Sequence, residues 1–186
     1  MRQSDTMSRF EAKLLRPASS GSSGTGDPWA FVILPKSASA KLPRRGRTTV
    51  EGSLDGVAFQ ATLEPDGQLS HWLRIGAPLL ERTGATFGDR VALEIMSAAQ
   101  EPEPEVPPDV QRALALAPEA LAVWKATTTI ARLDWLHWIT SAKQAKTREK
   151  RIGDACRMLA AGKRRVCCFD PSGYYSKSFA APQAAE

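Results

Sequence analysis

Residues 48–63 have the sequence TTVEGSLDGVAFQATL and decide the first half of the fold. Two runs rich in β-branched and apolar side chains flank the dipeptide Asp55-Gly56, which is typical of the tight turn between two antiparallel strands. The segment therefore predicts a β-hairpin with strands at residues 48–54 and 57–63.

Four more strands are predicted around this hairpin. Short apolar or alternating runs that end at Gly, Pro or Asp are typical of strands in a small sheet protein. These runs are residues 9–16, 29–34, 69–75 and 90–96, and PLLERT at residues 78–83 predicts a short helix. Together with the hairpin they predict a small β-barrel.

An internal similarity favours a barrel made of two similar halves. FVILP followed by TTVEGSL resembles WLRIG followed by RVALEI, and the spacing from Phe31 to Val50 equals that from Trp72 to Val91. Only the apolar and glycine positions agree, so chance agreement is the alternative explanation.

The segment AAQEPEPEVPPD at residues 98–109 is rich in Pro and Glu. Repeated prolines block both helix continuation and strand pairing, so the domain boundary is predicted here. Beyond it, apolar residues recur at helical spacing and predict a compact unit of three to four helices. The predicted start signals of these helices are Asp109, Pro118, residues 127–129 and Thr147, and the last helix is predicted to end near Gly162.

The composition is that of a folded, basic protein. The chain has 186 residues, with 42% hydrophobic and 24% charged side chains, which is close to the globular average. Its formal net charge of +5 favours acidic partners such as nucleic acid, phosphates or anionic lipid surfaces. Nine of the 25 basic residues but only two of the 20 acidic residues lie in residues 143–165, so the positive charge is concentrated there.

The three cysteines, Cys156, Cys167 and Cys168, have no paired spacing, and an odd number argues against a disulfide-stapled secreted domain. Cys156 falls on the apolar face of its predicted helix, which indicates a core position, whereas the adjacent pair could be redox-sensitive. The first residues, MRQSDTMSRFEAKLL, lack the features of a signal peptide, and no stretch approaches the roughly 18 apolar residues that span a membrane. We therefore expect a cytoplasmic protein without direct membrane insertion.

Two blocks of the sequence, which together cover most of residues 8–165, resemble known families. The C-terminal block, VPPDVQRALALAPEALAVW followed by WITSAKQAKTREKRIGDACRMLAAGKR, resembles the YdeI/OmpD-associated, or bacteriocin-protection, family. The N-terminal block, through FEAKLL, WAFVILP, GRTTVEGSLDGVAFQATLEPDGQLSHWLRI and GDRVALEI, resembles the small domain of unknown function that often precedes it. The sequence departs from the family pattern at residues 127–132, which are more apolar than usual, and at Cys167 and Cys168.

The resemblance implies an α+β protein with two parts. The first is a small N-terminal β-barrel of the AbrB-like, double-split type, a group of folds that includes DNA-binding proteins. The second is a compact C-terminal helical unit of three to four helices. Members of the family are linked to tolerance of antimicrobial peptides and bacteriocins, without an established chemistry.

The predicted domains follow from the boundary and the two blocks. They are a disordered N-terminus at residues 1–7, a β-barrel domain at 8–97, a Pro/Glu-rich linker at 98–108, a helical region at 109–165 and a partly disordered tail at 166–186. A Ser- and Gly-rich stretch at residues 19–27 is predicted to form a flexible loop between two strands.

The main candidate site is a group of cationic and hydroxyl side chains at the start of the last predicted helix. A loop that ends at a helix N-terminus among Lys and Arg can hold a phosphate or carboxylate through backbone N–H groups and side-chain donors. The predicted anion- or partner-binding residues are Lys143, Thr147, Arg148, Arg151 and Ser141, assisted by Lys146 and Lys150. In the alternative, Thr147 only caps the helix, while Arg148 and Arg151 pair with carboxylates of the barrel.

The tryptophans and histidines fit structural roles better than chemical ones. Trp124, Trp135 and Trp138 occupy apolar helix positions, which favours a core role over the stacking of single-stranded nucleic acid. His71 and His137 have no Cys, His, Asp or Glu neighbour at metal-ligand spacing. No metal site and no cofactor are therefore predicted.

These observations favour a non-enzymatic binding protein that acts in stress or antimicrobial-peptide tolerance through an anionic ligand or an acidic partner. The first alternative is a nucleic-acid-binding regulator that uses the barrel and the basic helix together, with an affinity that falls steeply with salt. The second is an enzyme with a pocket between the two halves and His71 or Lys143 as the proton-transfer group. No catalytic residue is predicted, since no phosphate-binding glycine loop, nucleophile elbow or carboxylate pair stands out.

Overall fold

The computed structural model describes three stretches of the chain, residues 7–18, 28–166 and 180–185. Several predictions fall wholly or partly outside these stretches. They are the disordered N-terminus at residues 1–7, of which only Met7 is described, the loop at 19–27, the tail at 166–186, of which 166 and 180–185 are described, and the redox role of Cys167 and Cys168. The chain divides between Gln100 and Glu101 into two compact units.

Six antiparallel strands form the first unit. They are β1 (Ser8–Lys13), β2 (Ala30–Ile33), β3 (Thr48–Leu54), β4 (Val57–Pro65), β5 (His71–Ile75) and β6 (Arg90–Ser97), with the short helices α1 (Lys36–Ser39) after β2 and α2 (Ala77–Thr83) after β5. The strand order is β1-β6-β3-β4-β5-β2, and Leu15 and Phe31 exchange backbone hydrogen bonds of 2.8 and 3.0 Å between the two edges. The unit is a nearly closed barrel, as predicted, and α1 has no counterpart among the sequence predictions.

The strand pairing supports the two similar halves that the internal similarity indicates. In each half, two strands are followed by a short helix and a third strand, so β1-β2-α1-β3 corresponds to β4-β5-α2-β6. β2 pairs with β5 and β3 pairs with β6, while β1 and β4 each pair with the third strand of the other half. If β1, β2 and β3 are exchanged with β4, β5 and β6, every strand keeps the same type of neighbour. The barrel therefore has approximate two-fold internal symmetry.

The hairpin of β3 and β4 forms where the Asp-Gly dipeptide predicts it. Asp55 and Gly56 have φ values of 47° and 81°, and two successive positive φ values belong to the type I′ turn. The Asp55 carboxylate also accepts a hydrogen bond of 2.7 Å from the backbone N–H of Ala92 on β6. The turn therefore sets the register of the hairpin and ties it to the next strand.

Alternating apolar side chains fill the barrel interior. Val91, Leu93 and Ile95 of β6 are at most 1% exposed, because successive side chains of a strand point to opposite faces and one face is the core. Leu54 and Leu63 from the hairpin join the same cluster. Burial of this apolar surface is the main force that holds the strands together.

The second unit contains four helices in its described residues. They are α3 (Pro108–Ala115), α4 (Pro118–Ala126), α5 (Thr129–Thr140) and α6 (Ala145–Ala160). Trp135, Ile139 and Leu159 are at most 1% exposed, Trp124 is 6% exposed, and Trp138 packs edge-on against Trp135 with ring centroids 6.1 Å apart. The predicted helical unit and the packing role of its tryptophans are confirmed.

Several predicted helix boundaries are confirmed. Pro118 is the first residue of α4, and its fixed φ suits that position. The Thr128 hydroxyl caps α5 by accepting a hydrogen bond of 3.2 Å from the N–H of Ala131. α6 ends beside Gly162, whose φ of 85° is left-handed, as is usual after a helix C-terminus.

Two predicted capping residues are wrong. α3 starts directly after Pro107, so Asp109 lies in its first turn, because Pro108 already has a backbone suited to the first helical position. The cap of α6 is Gln144, and Thr147 lies inside the first turn. Neither Asp109 nor Thr147 caps its helix, and both side chains are therefore available for other contacts.

A C-terminal segment pairs with the barrel just after β1. The N–H of Ala18 donates to the carbonyl oxygen of Gln183, and the N–H of Ala185 donates to that of Arg16, both at 2.8 Å. Residues 180–185 thus extend the first unit. The sequence pattern does not predict this pairing, because AAPQAA has no alternation of apolar and polar residues.

Candidate functional site

The predicted anion-binding residues lie at the connection between α5 and α6 and on the first turns of α6. Ser141 is the C-cap of α5, and Lys143 lies in the connection. The members on α6 are Lys146, Thr147, Arg148, Lys150 and Arg151. The structure separates them into arginines that are engaged inside the helical unit and lysines that are exposed.

Arg148 joins α6 to α3 through a bidentate ion pair with Asp109. Its Nε and Nη2 donate to the two carboxylate oxygens at 2.7 and 3.0 Å. These hydrogen bonds lower the pKa of Asp109 and raise the pKa of Arg148. A structural ion pair was the expected alternative for Arg148, but its partner lies in α3 and is not one of the barrel carboxylates.

Arg151 supports the C-terminal end of α5. Its Nη1 donates to the carbonyl oxygen of Trp138 at 2.6 Å and to Ser141 Oγ at 3.0 Å. Its guanidinium also lies over the Trp138 ring, 5.4 Å from the centroid. The last carbonyl groups of a helix have no partner within the helix, so Arg151 and Ser141 satisfy a backbone group that α5 leaves open.

Lys143, Lys146 and Lys150 are exposed, and we call these three residues the lysine face. Lys146 and Lys150 are four positions apart and therefore lie on one side of α6. Lys143 precedes that side by about one turn. Glu149 is exposed on the same stretch, so the lysine face keeps a positive balance after one carboxylate is counted.

The lysine face coincides with the positive end of α6. The first N–H groups of a helix have no partner within the helix and carry partial positive charge. The first main-chain bond of α6 runs from the N–H of Arg148 to the carbonyl oxygen of Gln144, and the Gln144 side chain does not cap the helix. An anion near this end would meet the lysines and the helix dipole together.

Replacing Arg148 with alanine is expected to lower the stability of the helical unit by about 1 kcal/mol at pH 7, because the pair is partly exposed. The pKa of Asp109 is lowered in the folded state, so the pair contributes fully above the unfolded carboxyl pKa of about 3.9 and is lost as the pH falls through the folded value. The difference in melting temperature between wild type and Arg148→Ala should therefore shrink towards pH 3. Arg148→Lys, which keeps the charge without the bidentate geometry, is the control. If the melting temperatures of wild type and Arg148→Ala differed equally at pH 7 and pH 3, the ion pair would be contradicted.

His71 is a buried structural residue of the barrel. It is fully buried on β5, its Nε2 lies 3.0 Å from the carbonyl oxygen of Gly46, and its Nδ1 lies 2.7 Å from Ser39 Oγ. Burial is the main cause that lowers its pKa, and the charges of Arg45 and Arg44 act in the same direction. Both ring nitrogens of this candidate proton-transfer group are thus engaged in internal hydrogen bonds.

Cys156 and His137 belong to the packing of the helical unit. Cys156 packs against the apolar cluster, and burial raises the pKa of its thiol, which disfavours the reactive thiolate. His137 is 7% exposed on α5. Within the described stretches, no group of three or more His, Cys, Asp or Glu is placed to hold a metal ion, and no helix has the length and apolarity to cross a membrane.

Sequence reasoning missed a second cationic segment, KLPRRGR at residues 41–47, between α1 and β3. The residues outside 143–165 carry a slightly negative total charge. A sum over all of them therefore does not reveal a short basic segment. A count in a shorter window would have found it, since residues 28–50 hold five Lys and Arg and no Asp or Glu. We call residues 41–47 the arginine loop.

The fold and the lysine face define a two-domain protein, a small β-barrel followed by a helical domain with a basic surface. A family model described as a domain of unknown function, DUF1905, matches residues 10–95, and one described as bacteriocin-protection, YdeI or OmpD-associated, matches residues 103–162. Residues 103–162 thus match the YdeI/OmpD-associated family, and the DUF1905 match precedes them in the domain order that the resemblance implies. No curated protein matches the sequence.

Proposed function

We propose that the protein is a non-enzymatic binding protein of the bacterial cytoplasm that recognises an acidic partner through the lysine face. One observation carries the proposal. Lys143, Lys146 and Lys150 are exposed at the positive end of α6, while the neighbouring Arg148 and Arg151 are engaged within the helical unit. The description of the family model that matches residues 103–162 adds bacteriocin protection as the setting, and we extend this setting to stress and antimicrobial-peptide tolerance.

An exposed helix face suits a partner surface better than an enclosed small molecule. Small-molecule sites are concave and bury most of the ligand, whereas lysines on a helix present point charges to whatever surface approaches. Charges of this kind raise the rate of encounter with an acidic protein, and salt weakens them. The same charges repel a cationic peptide, so tolerance would act through an acidic partner in the cell.

The buried tryptophans favour an acidic protein over single-stranded nucleic acid. Nucleic-acid binding without sequence preference usually combines basic side chains with exposed aromatic rings on which bases stack. Trp124 and Trp135 are at most 6% exposed, and the Trp138 ring is covered on one side by Arg151. These rings support the helical core, which leaves nucleic acid as the alternative outcome of the binding test.

Replacing Lys143, Lys146 and Lys150 together with glutamine is expected to weaken the binding of an acidic probe about threefold to 150-fold, since each exposed ion pair contributes roughly 0.2–1 kcal/mol. The melting temperature should not change, because the lysine face lies outside the core. The measurement is fluorescence anisotropy of a labelled poly-glutamate peptide at low salt, with thermal unfolding of the same samples.

The control changes the same number of exposed lysines elsewhere, with Lys13, Lys125 and Lys163 replaced by glutamine. Equal weakening in the control would mean that net charge alone attracts the probe, and the lysine face would lose its role. Absence of binding at low salt would also refute the proposal. Tighter binding of an oligonucleotide than of the peptide would replace it with the nucleic-acid alternative.

A further inference from the structure

The arginine loop carries positive charge that the barrel topology does not require. In the other half of the barrel, the corresponding connection between α2 and β6 is GATFGD at residues 84–89, which contains no Lys or Arg. The backbone N–H and the hydroxyl of Thr86 close that connection by donating to the Asp89 carboxylate at 2.8 and 2.9 Å. The same place in the fold is thus built without cations, so closure of this connection does not by itself account for the two exposed cations of the arginine loop, Lys41 and Arg45.

Gly46 makes room for the guanidinium of Arg44. A Cβ at Gly46 would lie 2.9 Å from Arg44 Nη2, closer than real Cβ atoms approach another atom. The φ of Gly46 is not positive, so the backbone itself does not require a glycine there. The small residue therefore lets the Arg44 guanidinium lie close to the main chain, with its Nη1 buried.

Three sets of contacts hold the arginine loop on the barrel. Nη2 of Arg47 donates to the Glu64 carboxylate of β4 at 3.0 Å. Nη1 of Arg45 donates to the carbonyl oxygen of Leu69 at 2.9 Å, and Leu69 has a left-handed φ of 68°. His71 donates from Nε2 to the carbonyl oxygen of Gly46 at 3.0 Å, which leaves Nδ1 to accept from the Ser39 hydroxyl at 2.7 Å. Arg45 nevertheless remains an exposed residue, so a fixed loop presents it to solvent.

We propose that the arginine loop binds a phosphoryl group through the guanidinium group of Arg45, with Lys41 and Arg44 contributing charge. The planar fork of a guanidinium matches phosphate oxygens in geometry as well as in charge. Cations that are already held in place lose less conformational entropy when a ligand binds. The arginine loop lies in the barrel unit and the lysine face in the helical unit, so this site is independent of the one proposed above.

Free phosphate compounds and lipid headgroups both carry a phosphoryl group, and two arms of one experiment separate them. The first arm is calorimetric titration of the full chain with inorganic pyrophosphate. The second is sedimentation with phosphatidylcholine vesicles that contain phosphatidylglycerol. Removing one charged hydrogen-bonding group should weaken binding about tenfold to hundredfold in Arg45→Ala. Gly46→Ala should weaken it severalfold by displacing Arg44, with little loss of stability, because only the flexible end of a side chain must move.

The matched control is Arg82→Ala, which removes an exposed arginine from α2 of the other half. Pyrophosphate binding that weakens in Arg45→Ala and Gly46→Ala but not in Arg82→Ala supports a site for a free phosphate compound. If the protein binds vesicles but not pyrophosphate, and Arg45→Ala and Gly46→Ala but not Arg82→Ala weaken the vesicle binding, the result supports a lipid headgroup. Binding that Arg82→Ala weakens equally, or no binding in either arm, overturns the proposal. The lysine-face variant should bind pyrophosphate like wild type, so each proposal can fail without the other.

Discussion

Alanine in place of Gly52 is expected to unfold the barrel or to lower its melting temperature by more than about 12 °C. A Cβ at this position would lie 1.8 Å from the carbonyl oxygen of Glu94 and 2.8 Å from its carbonyl carbon. Both atoms belong to the backbone of β6, which pairs with β3 at this point. The strands must separate to relieve the overlap, and the cost should be at least about 3 kcal/mol.

Thermal unfolding of the full chain, followed by circular dichroism and by tryptophan fluorescence, measures this effect. The matched control is Gly153→Ala, because a Cβ at Gly153 in α6 meets no atom within 4 Å. Alanine has the higher helix propensity, so this control should gain up to about 1 kcal/mol of stability. If Gly52→Ala unfolded at the wild-type temperature, the close approach of β3 and β6 would be wrong.

Replacing Trp135 with alanine is expected to destabilise the helical unit by about 3–5 kcal/mol. Trp135 is fully buried, packs edge-on against Trp138, and donates from Nε1 to the carbonyl oxygen of Arg164 at 3.4 Å. Alanine would leave a cavity in the apolar cluster of the second unit and one carbonyl group without its partner. The loss of helical ellipticity should therefore occur at a much lower temperature or urea concentration.

Trp135→Phe is the matched control, because phenylalanine keeps an aromatic ring in the core and loses the indole N–H. Its unfolding should fall between those of the wild type and Trp135→Ala. The barrel signal should be much less affected than the helical signal, since Trp135 belongs to the apolar cluster of the second unit. A Trp135→Ala protein with unchanged urea unfolding would contradict the packing of this helical core.

Local sequence signals predicted the parts of the fold that depend on neighbouring residues. The hairpin at residues 48–63 was predicted with its turn because Asp55 and Gly56 determine a backbone conformation by themselves. A cap within residues 127–129 and the Pro118 start were predicted for the same reason. The failed caps have a local cause as well, because Pro107 and Pro108 start α3 without a capping side chain, and Gln144 is not a typical capping residue.

The contacts made by the residues of the candidate site could not be predicted from the sequence. The sequence identifies a cationic cluster, but Arg148 meets Asp109, 39 positions away, and only the packing of α6 on α3 brings them together. Arg151 reaches Trp138 and Ser141 across a turn that the helical pattern does not define. A sequence pattern therefore cannot separate cations that support the fold from cations that remain exposed.

Contacts between distant strands limited the prediction for the barrel. The requirement for Gly52 comes from Glu94 on a strand that is distant in sequence, so no local pattern marks it. The arginine loop could have been found from a local charge count, but its anchors, Leu69 and His71, lie beyond β4. The requirement for Gly52 and the anchoring of the arginine loop both depend on strand pairing, which the sequence pattern does not predict.

Amide chemical-shift mapping with the poly-glutamate peptide tests the lysine face most directly. We expect the largest shift changes at residues 143–150 at low salt, with loss of these changes in the Lys143, Lys146 and Lys150 to glutamine variant. The side-chain signal of Arg148 should keep its position, because Asp109 continues to hold it. Largest changes outside α6, or displacement of Arg148 from Asp109 by the peptide, would contradict a surface in which lysines bind and arginines support the fold.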